Sequence, residues 1–349
     1  MSSKTTRKAA KRTRDSKETA TPGPLKTLFG VQNKRAKATE DLDSVQKPQE
    51  GCSGDVKALI PDSVRIPKFI SDFYQHAKSI SSEDPCLAFK KLKSARLVGL
   101  FELLDGKLST LSENDLLLHR RHATDLPEMQ TVLESDVGRY CLWRDIPNSD
   151  DGLIVYVPDD GRFPKIEVVG DRVEHAIVHL AEKAKAPVES LLPKSSNVAN
   201  LKQQMKAVSA KRNKKKYGKA PSGAGLWVEV VNEVGYRPIV EDAAKIRKSL
   251  DLLCSTADDD LKQAKTKWLM ELVTWAQIAT DECDFGMGLE LGQWLFLANH
   301  PMLDRLAQRL LSTAYALLGR NEYKAVLDLQ MADGVRRRSE LDARKTTTS

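Results

Sequence analysis

The sequence predicts an α+β fold in two lobes: a small α+β N-terminal domain, then a mainly helical C-terminal domain, behind a disordered basic N-terminal tail. Three observations predict it. Residues 1–57 hold few large apolar side chains and many Lys, Thr, Ser, Pro and Gly, too little burial to offset ordering entropy. Short apolar runs from Tyr140 to Val169, separated by Pro, Asp and Gly turns, read as strands. Beyond Val231 apolar residues recur at helical spacing. The expected boundaries are a tail over 1–57, the α+β domain over 58–187, the helical domain over 188–340 and a terminal tail over 341–349.

Within the tail, Leu25, Leu28, Phe29 and Val31 form a small apolar cluster, most simply a chance one. Order is expected from near Leu59. Ile66-Pro67 opens a helix, because proline suits a first turn, with Phe69, Phe73, Ala77 and Ile80 on one face. Leu97 to Leu104 reads as a second helical segment, and Tyr140–Trp143, Leu153–Val157 and Ile166–Val169 as strands. Asp171 is placed to cap a helix whose inner face is Val173, Ile177 and Leu180. The Lys-rich stretch over 202–219 reads as an exposed loop or frayed helix, and Gly223 to Val231 as a glycine turn leading into a strand. Ala264, Trp268, Leu272, Trp275 and Ala279 share a helix face. Pro301 opens a helix with Leu303, Leu306, Leu310, Ala314 and Leu317 inward and Gly319 as its stop; a last helix runs from Asn321 to Met331.

Composition excludes several classes of function. No apolar run approaches the roughly 20 residues of a membrane helix. The Ser-, Thr- and Lys-rich N-terminus lacks the apolar core of a secretory signal. Five scattered cysteines with no CxxC pair argue against a disulfide framework or a cysteine zinc site, and fit a reducing compartment. The net charge of +7 is concentrated in residues 1–37 and in Lys202 to Lys219, runs that attract polyanions and can serve in nuclear import. The plainer reading of both is a solvated tail and a solvated loop.

The most unusual segment is Asp281-Glu-Cys-Asp-Phe-Gly-Met-Gly-Leu-Glu-Leu-Gly292. Asp281, Glu282 and Asp284 place three carboxylates in four positions. Such neighbours raise one another's proton affinity, and one of them can act as a general base within reach of a substrate proton. Gly286 and Gly288 are expected to form a tight turn presenting the acids. The competing reading is an acidic helix end followed by a glycine break. The glycine spacing is wrong for a dinucleotide loop. Cys283 has no histidine nearby and reads as a structural thiol. His175 and His179, four apart, lack the HExxH order of a metal helix. Downstream of the expected strand, Tyr236 and Arg237 stand together at a turn, residue types common at interface hot spots.

Together these segments resemble the histone PARylation factor family, partner proteins that redirect certain poly(ADP-ribose) polymerases toward serine. The resemblance rests on Thr280 to Gly292, Gly223-Ala-Gly-Leu226, Val234-Gly-Tyr-Arg237, Leu126-Pro-Glu-Met-Gln-Thr131, Arg144-Asp145 and the helix Leu310 to Arg320, and spans roughly residues 60–330. It implies that Glu282 is a catalytic general base supported by Asp281. It also implies that Tyr236 and Arg237 dock on a polymerase catalytic domain, with Glu233 and Asp284 at matching interface positions. On this resemblance the chain is no enzyme alone. It binds no cofactor or metal itself, while NAD is bound by the polymerase. Its partners are the polymerase, histones and nucleosomes, with no membrane; the charge of the basic segments, rather than the resemblance, adds an expected poly(ADP-ribose) or DNA contact. Its place is the nucleus, at damaged chromatin, in DNA repair. Two departures stand out. Ile278 replaces a frequent aromatic, and the Cys and His pattern of the zinc finger that some members carry is absent before residue 60. Two other readings stay open: a nuclear chromatin- or poly(ADP-ribose)-binding module without a catalytic contribution, and a self-sufficient hydrolase using Asp281, Glu282 and Asp284. Adjacent acids do not easily flank one scissile bond, which ranks the hydrolase last.

Overall fold

The computed structural model describes residues 65–147, 149–158, 161–219 and 222–337. The expected basic tail with its Leu25–Val31 cluster, the onset near Leu59 and the terminal tail over 341–349 all lie outside these residues.

The fold is α+β. Five strands, β1 (Arg96–Leu97), β2 (Met129–Ser135), β3 (Gly138–Trp143), β4 (Leu153–Val157) and β5 (Glu167–Gly170), pair antiparallel in chain order as one sheet. The period-two alternation of strands assigns its faces. Tyr140, Leu142, Ile154 and Tyr156 join one core. Cys141, Trp143, Val155 and Val157 join the other. The first core is completed by α1 (Lys68–Ile80), α2 (Leu100–Leu104), α3 (Glu113–Leu118), α4 (Val173–Ala184) and Leu201 of α5 (Val198–Lys215). The second takes the apolar faces of α6 (Ala243–Ser255), α7 (Asp259–Asp281), α8 (Phe285–Leu297), α9 (Pro301–Leu317) and α10 (Asn321–Met331). Apolar β2, β3 and β4 are thus buried on both sides. Among the described residues no helix is long and apolar enough to cross a membrane.

Several local expectations are corrected. Ile80, at the last turn of α1, is exposed. Leu97 belongs to β1: Gly99 takes a left-handed φ of 62° and its N–H is bound by Glu102, so the helix starts only at Leu100. β2 adds to the expected strands; the run Leu126–Thr131 opens Leu-Pro, which masks the β-character that lies further on. Asp171 does not cap α4; Arg172 holds the cap position, with no side-chain bond. Of the two readings of the Lys-rich stretch the helix holds as far as Lys215: α5 is an 18-residue helix capped by the Asn197 side chain. Residues 223–231 form no strand, only isolated bridges, and three of their carbonyls are taken by arginines, Ala224 and Gly225 by Arg212 and Trp227 by Arg320. The inner face of α7 is Leu269, Leu272, Val273, Ala276 and Ala279, whose small members let it lie close to α8; Ala264 and Trp275 face outward. Leu317 of α9 is exposed as well, while Gly319 does end that helix, at φ 68°.

Candidate functional site

The acidic block forms the corner between α7 and α8. The Asp284 N–H bonds to the Ala279 carbonyl at 2.7 Å and the Cys283 N–H to the Thr280 carbonyl at 3.0 Å. These are the two bonds of a Schellman helix end, whose left-handed position normally takes glycine. Here Cys283 occupies it, at φ 67°. The turn therefore falls at Glu282–Asp284, not at Gly286 and Gly288, which lie buried inside α8. Cys283 itself is exposed, contrary to the buried thiol expected. A strained non-glycine residue of this kind costs roughly 1–2 kcal/mol and is a recurrent mark of functional sites.

The corner projects Glu282, whose side chain is 54% exposed. Asp281 is also exposed, and its side chain makes no hydrogen bond or ion pair among the described residues. Asp284 turns inward and is 8% exposed. It fastens a second loop to the corner. That loop begins as a tight turn in which Val231 and Val234 exchange both backbone hydrogen bonds, with Asn232 at φ 51° and Glu233 at φ 68°. Two consecutive left-handed residues make this a type I′ turn, with Glu233 exposed at its tip. Gly235 then donates its N–H to Asp284 Oδ1 at 2.9 Å and accepts from the Gly286 N–H at 2.9 Å. A Cβ on Gly286 would stand 2.8 Å from the Tyr236 ring, so that glycine permits the loop to lie on the helix.

Arg237 closes the constellation. Its Nη2 pairs with Glu282 Oε2 at 2.5 Å and with Asp284 Oδ2 at 2.8 Å. The hydrogen bond to Glu282, followed by the two carboxylate charges, raises its pKa. Tyr236 is half-buried rather than a free surface residue. Its hydroxyl donates to Glu290 Oε2 at 2.8 Å and its ring packs on Tyr217, 5.1 Å between centroids. Burial, then the Glu290 charge, push its phenol up. The structure thus brings Glu282, Asp284, Tyr236 and Arg237 into one network, with Glu233 on the same loop and Asp281 beside Glu282.

Sequence reasoning missed Glu290. It is 1% exposed, accepts from the Lys219 N–H at 2.5 Å as well as from Tyr236, and burial raises its pKa against those hydrogen bonds. A lone carboxylate inside the apolar run Phe285–Leu297 was the signal that could have found it. Around the corner stand exposed apolar side chains: Trp275 and Ile278 on the α7 face leading to Glu282, and Val231 and Val234 at the turn.

His175 and His179 turn to different partners. His175 is buried against Gln204 and Asp171, and His179 bonds the Tyr140 hydroxyl. The one group of donors close enough for a metal among the described residues, Asp84, Cys86 and Asp105, already surrounds a cation: the Lys107 ammonium lies 2.8 Å from both carboxylates. The thiol there is pushed up to about 12, by burial first.

A family model described as Histone PARylation factor 1 matches residues 55–334. The chain is similar to Histone PARylation factor 1 of Danio rerio, 28% identical over 325 residues that cover 82% of this chain and 90% of the relative. The protein of the same description from Mus musculus is 30% identical over 288 residues, 76% of this chain and 83% of the relative. A Putative histone PARylation factor 1-like protein of Homo sapiens is 28% identical over 321 residues, 85% and 92% of the two chains.

Proposed function

The chain belongs to the histone PARylation factor 1 family, and from that premise we propose that it docks on the catalytic domain of a poly(ADP-ribose) polymerase and supplies Glu282 as the general base of a composite active site. The products are serine-linked ADP-ribose on histones and other proteins at damaged chromatin in the nucleus. The observation that carries this reading is the corner between α7 and α8. It projects an exposed carboxylate on a rigid helix end, next to a loop that presents Glu233, Tyr236 and Arg237 and is ringed by exposed apolar residues.

The chemistry follows from the proton. A serine hydroxyl is a poor nucleophile because its proton is tightly held. NAD, bound by the polymerase, is the ADP-ribose donor. As the serine oxygen forms its bond to the ribose anomeric carbon, the bond to nicotinamide breaks and its electron pair leaves with nicotinamide. Glu282 takes the hydroxyl proton. General-base assistance of this kind is typically worth about 100- to 10,000-fold, enough to change which acceptor side chain wins. In the free chain the Arg237 guanidinium occupies Glu282, so Arg237 exchanges Glu282 for groups of the polymerase on docking and leaves the carboxylate open to the hydroxyl proton. Asp284, inward and bound to Gly235, keeps the loop in register meanwhile.

The test is a reaction of polymerase, nicked DNA, NAD and histone, with this protein, with its Glu282→Gln form, and with neither. Serine-linked product by mass spectrometry is expected only with the unmutated chain, while polymerase affinity stays largely intact in Glu282→Gln. Serine modification near the unmutated level with Glu282→Gln overturns the composite site and leaves the binding-module reading.

A further inference from the structure

We infer that the outward face of α5 is a docking surface for the phosphate backbone of duplex DNA. The inference stands apart from the catalytic reading, since it rests on a different element. α5 carries Lys202, Lys206, Lys211, Arg212, Lys214 and Lys215 and no acidic residue over 18 positions. The structure divides these cations by job. Arg212 is 7% exposed and is the anchor. It pairs with both Asp145 oxygens, at 2.5 and 2.8 Å, and donates to the Ala224 carbonyl at 2.6 Å. Leu201 is buried on the inner face of the same helix. Lys202 is paired with Glu182 at 2.8 Å. Lys206, Lys211, Lys214 and Lys215 are exposed and make no ion pair among the described residues.

A solvated helix end is the plainer account, and it covers part of the pattern. Lys214 and Lys215 lie in the last turn, where cations are favoured by the helix dipole. Lys206 and Lys211 lie before that turn, and the dipole gives no reason for them. From Lys206 to Lys215 the helix advances about 13 Å at 1.5 Å per residue. Duplex DNA presents roughly one phosphate charge per 1.7 Å of axis, so these four ammonium groups, fanned over about half the helix circumference, meet a dense row of anions. The residue types between the lysines select the duplex. Gln203, Ala207, Ala210 and Asn213 are exposed and include no aromatic ring. Single-stranded nucleic acids and adenine-bearing polymers are held largely by stacking on aromatic side chains, which α5 itself lacks; in the cleft that Lys211 and Lys215 share with Asp150, Asp151 and Asp171, Phe69 packs on the first core and Trp227 lies under Arg320. Tyr217, the nearest aromatic along the chain, is committed to Tyr236. The chain passes directly from α5 through Tyr217, whose ring packs on Tyr236 of the loop, to Lys219, whose N–H bonds Glu290 of α8, so a bound duplex lies beside the proposed docking site.

The experiment is fluorescence anisotropy of a labelled blunt-ended duplex with the full chain across a salt series. It is repeated with the variant Lys206→Gln, Lys211→Gln, Lys214→Gln, Lys215→Gln and with Lys206→Gln, Lys211→Gln alone, which leaves the dipole-facing turn untouched. A third variant replaces Arg7, Lys8, Lys11, Arg12 and Arg14 by Gln, to separate the basic tail. The fourfold variant is expected to bind at least tenfold more weakly at low salt, with a logarithmic salt slope shallower by about 0.9 for each phosphate no longer neutralised. The twofold variant is expected to fall between. Unchanged affinity and slope in a folded fourfold or twofold variant overturn the inference. So does tighter binding, through these same lysines, of a single-stranded oligonucleotide or of free poly(ADP-ribose), since that reassigns the surface to another class of polyanion.

Discussion

The Tyr236 hydroxyl donates a 2.8 Å hydrogen bond to Glu290, a carboxylate only 1% exposed. One side chain of the loop over 231–237 is thereby tied into the core, while its neighbour Arg237 pairs with the exposed Glu282 and the inward Asp284. The two residues therefore separate under mutation. Tyr236→Phe leaves a buried acceptor without its donor, which costs about 1–3 kcal/mol. Urea unfolding is expected to show that loss for Tyr236→Phe and a smaller one for Arg237→Ala, in which the inward Asp284 loses its cation but keeps the hydrogen bond from Gly235. Equal unfolding midpoints for Tyr236→Phe and the parent chain would mean that the bond holds nothing in place.

Gly286 is the hinge of the same arrangement. A methyl group there meets the Tyr236 ring at 2.8 Å and the Gly235 carbonyl at 3.0 Å, both parts of the docking loop. Gly286→Ala favours the helix by about 1 kcal/mol of intrinsic propensity yet pushes the loop away. The expected result is a normal far-ultraviolet helical signal with polymerase affinity reduced at least tenfold. Gly292→Ala is the contrast: its methyl strikes Leu311 at 2.7 Å, on α9 rather than the loop, so it should lower stability instead. Unreduced polymerase affinity in Gly286→Ala would show that the loop position is immaterial to docking.

What the sequence made legible was the chemistry of single segments, and what it hid was how they fit. The odd spacing of Asp281 to Asp284 and the pairing of Tyr236 with Arg237 are visible as residue types. That Asp284 binds Gly235 is not, because 49 residues separate them and no periodicity encodes a loop-to-corner contact. The glycines mislead for a physical reason. Glycine serves both turns and close packing, and here Gly286 and Gly292 serve packing while a cysteine takes the left-handed turn position. Strands β3 and β4 are legible from their apolar runs. The basic run over 202–219 reads as one charged unit, yet Arg212 inside it is a buried anchor, which only its partner Asp145 reveals.

Glu102 sets an acid limit to the fold. It is 3% exposed, and burial alone raises its pKa; hydrogen bonds from His119 at 2.7 Å and Arg120 at 2.8 Å outweigh burial and bring it down to about 2. A folded-state pKa below the unfolded one contributes stability above the unfolded value, near 4.5, and that stability is lost as pH falls toward about 2. Urea midpoints measured from pH 6 to pH 2 should decline through this window. In Glu102→Gln the neutral-pH midpoint should be lower and the decline through the window shallower. A variant that keeps the full slope would assign acid sensitivity to other carboxylates.

Arg237 is expected to divide binding from chemistry. In the free chain it neutralises Glu282 at 2.5 Å, and in the proposed complex it contacts the polymerase. Removing it has two opposed consequences. Docking is weakened, so more protein is needed to saturate the polymerase. The base loses its counter-charge, so nothing has to be displaced before Glu282 accepts the serine proton. Arg237→Ala should therefore raise the concentration needed for half-maximal serine modification at least tenfold while leaving the saturated rate near that of the parent chain. Arg237→Lys, which keeps the charge but lacks the planar fork, should recover part of the affinity. Glu282→Gln is the mirror image, with half-saturation little changed and the saturated rate reduced by about 100-fold or more, as loss of a general base requires. The measurement is a titration of each variant into polymerase, nicked DNA, NAD and histone, scored as serine-linked product. A saturated rate for Arg237→Ala as low as that of Glu282→Gln would show that Arg237 acts in the chemical step itself, and the division drawn here between a docking residue and a base would fall.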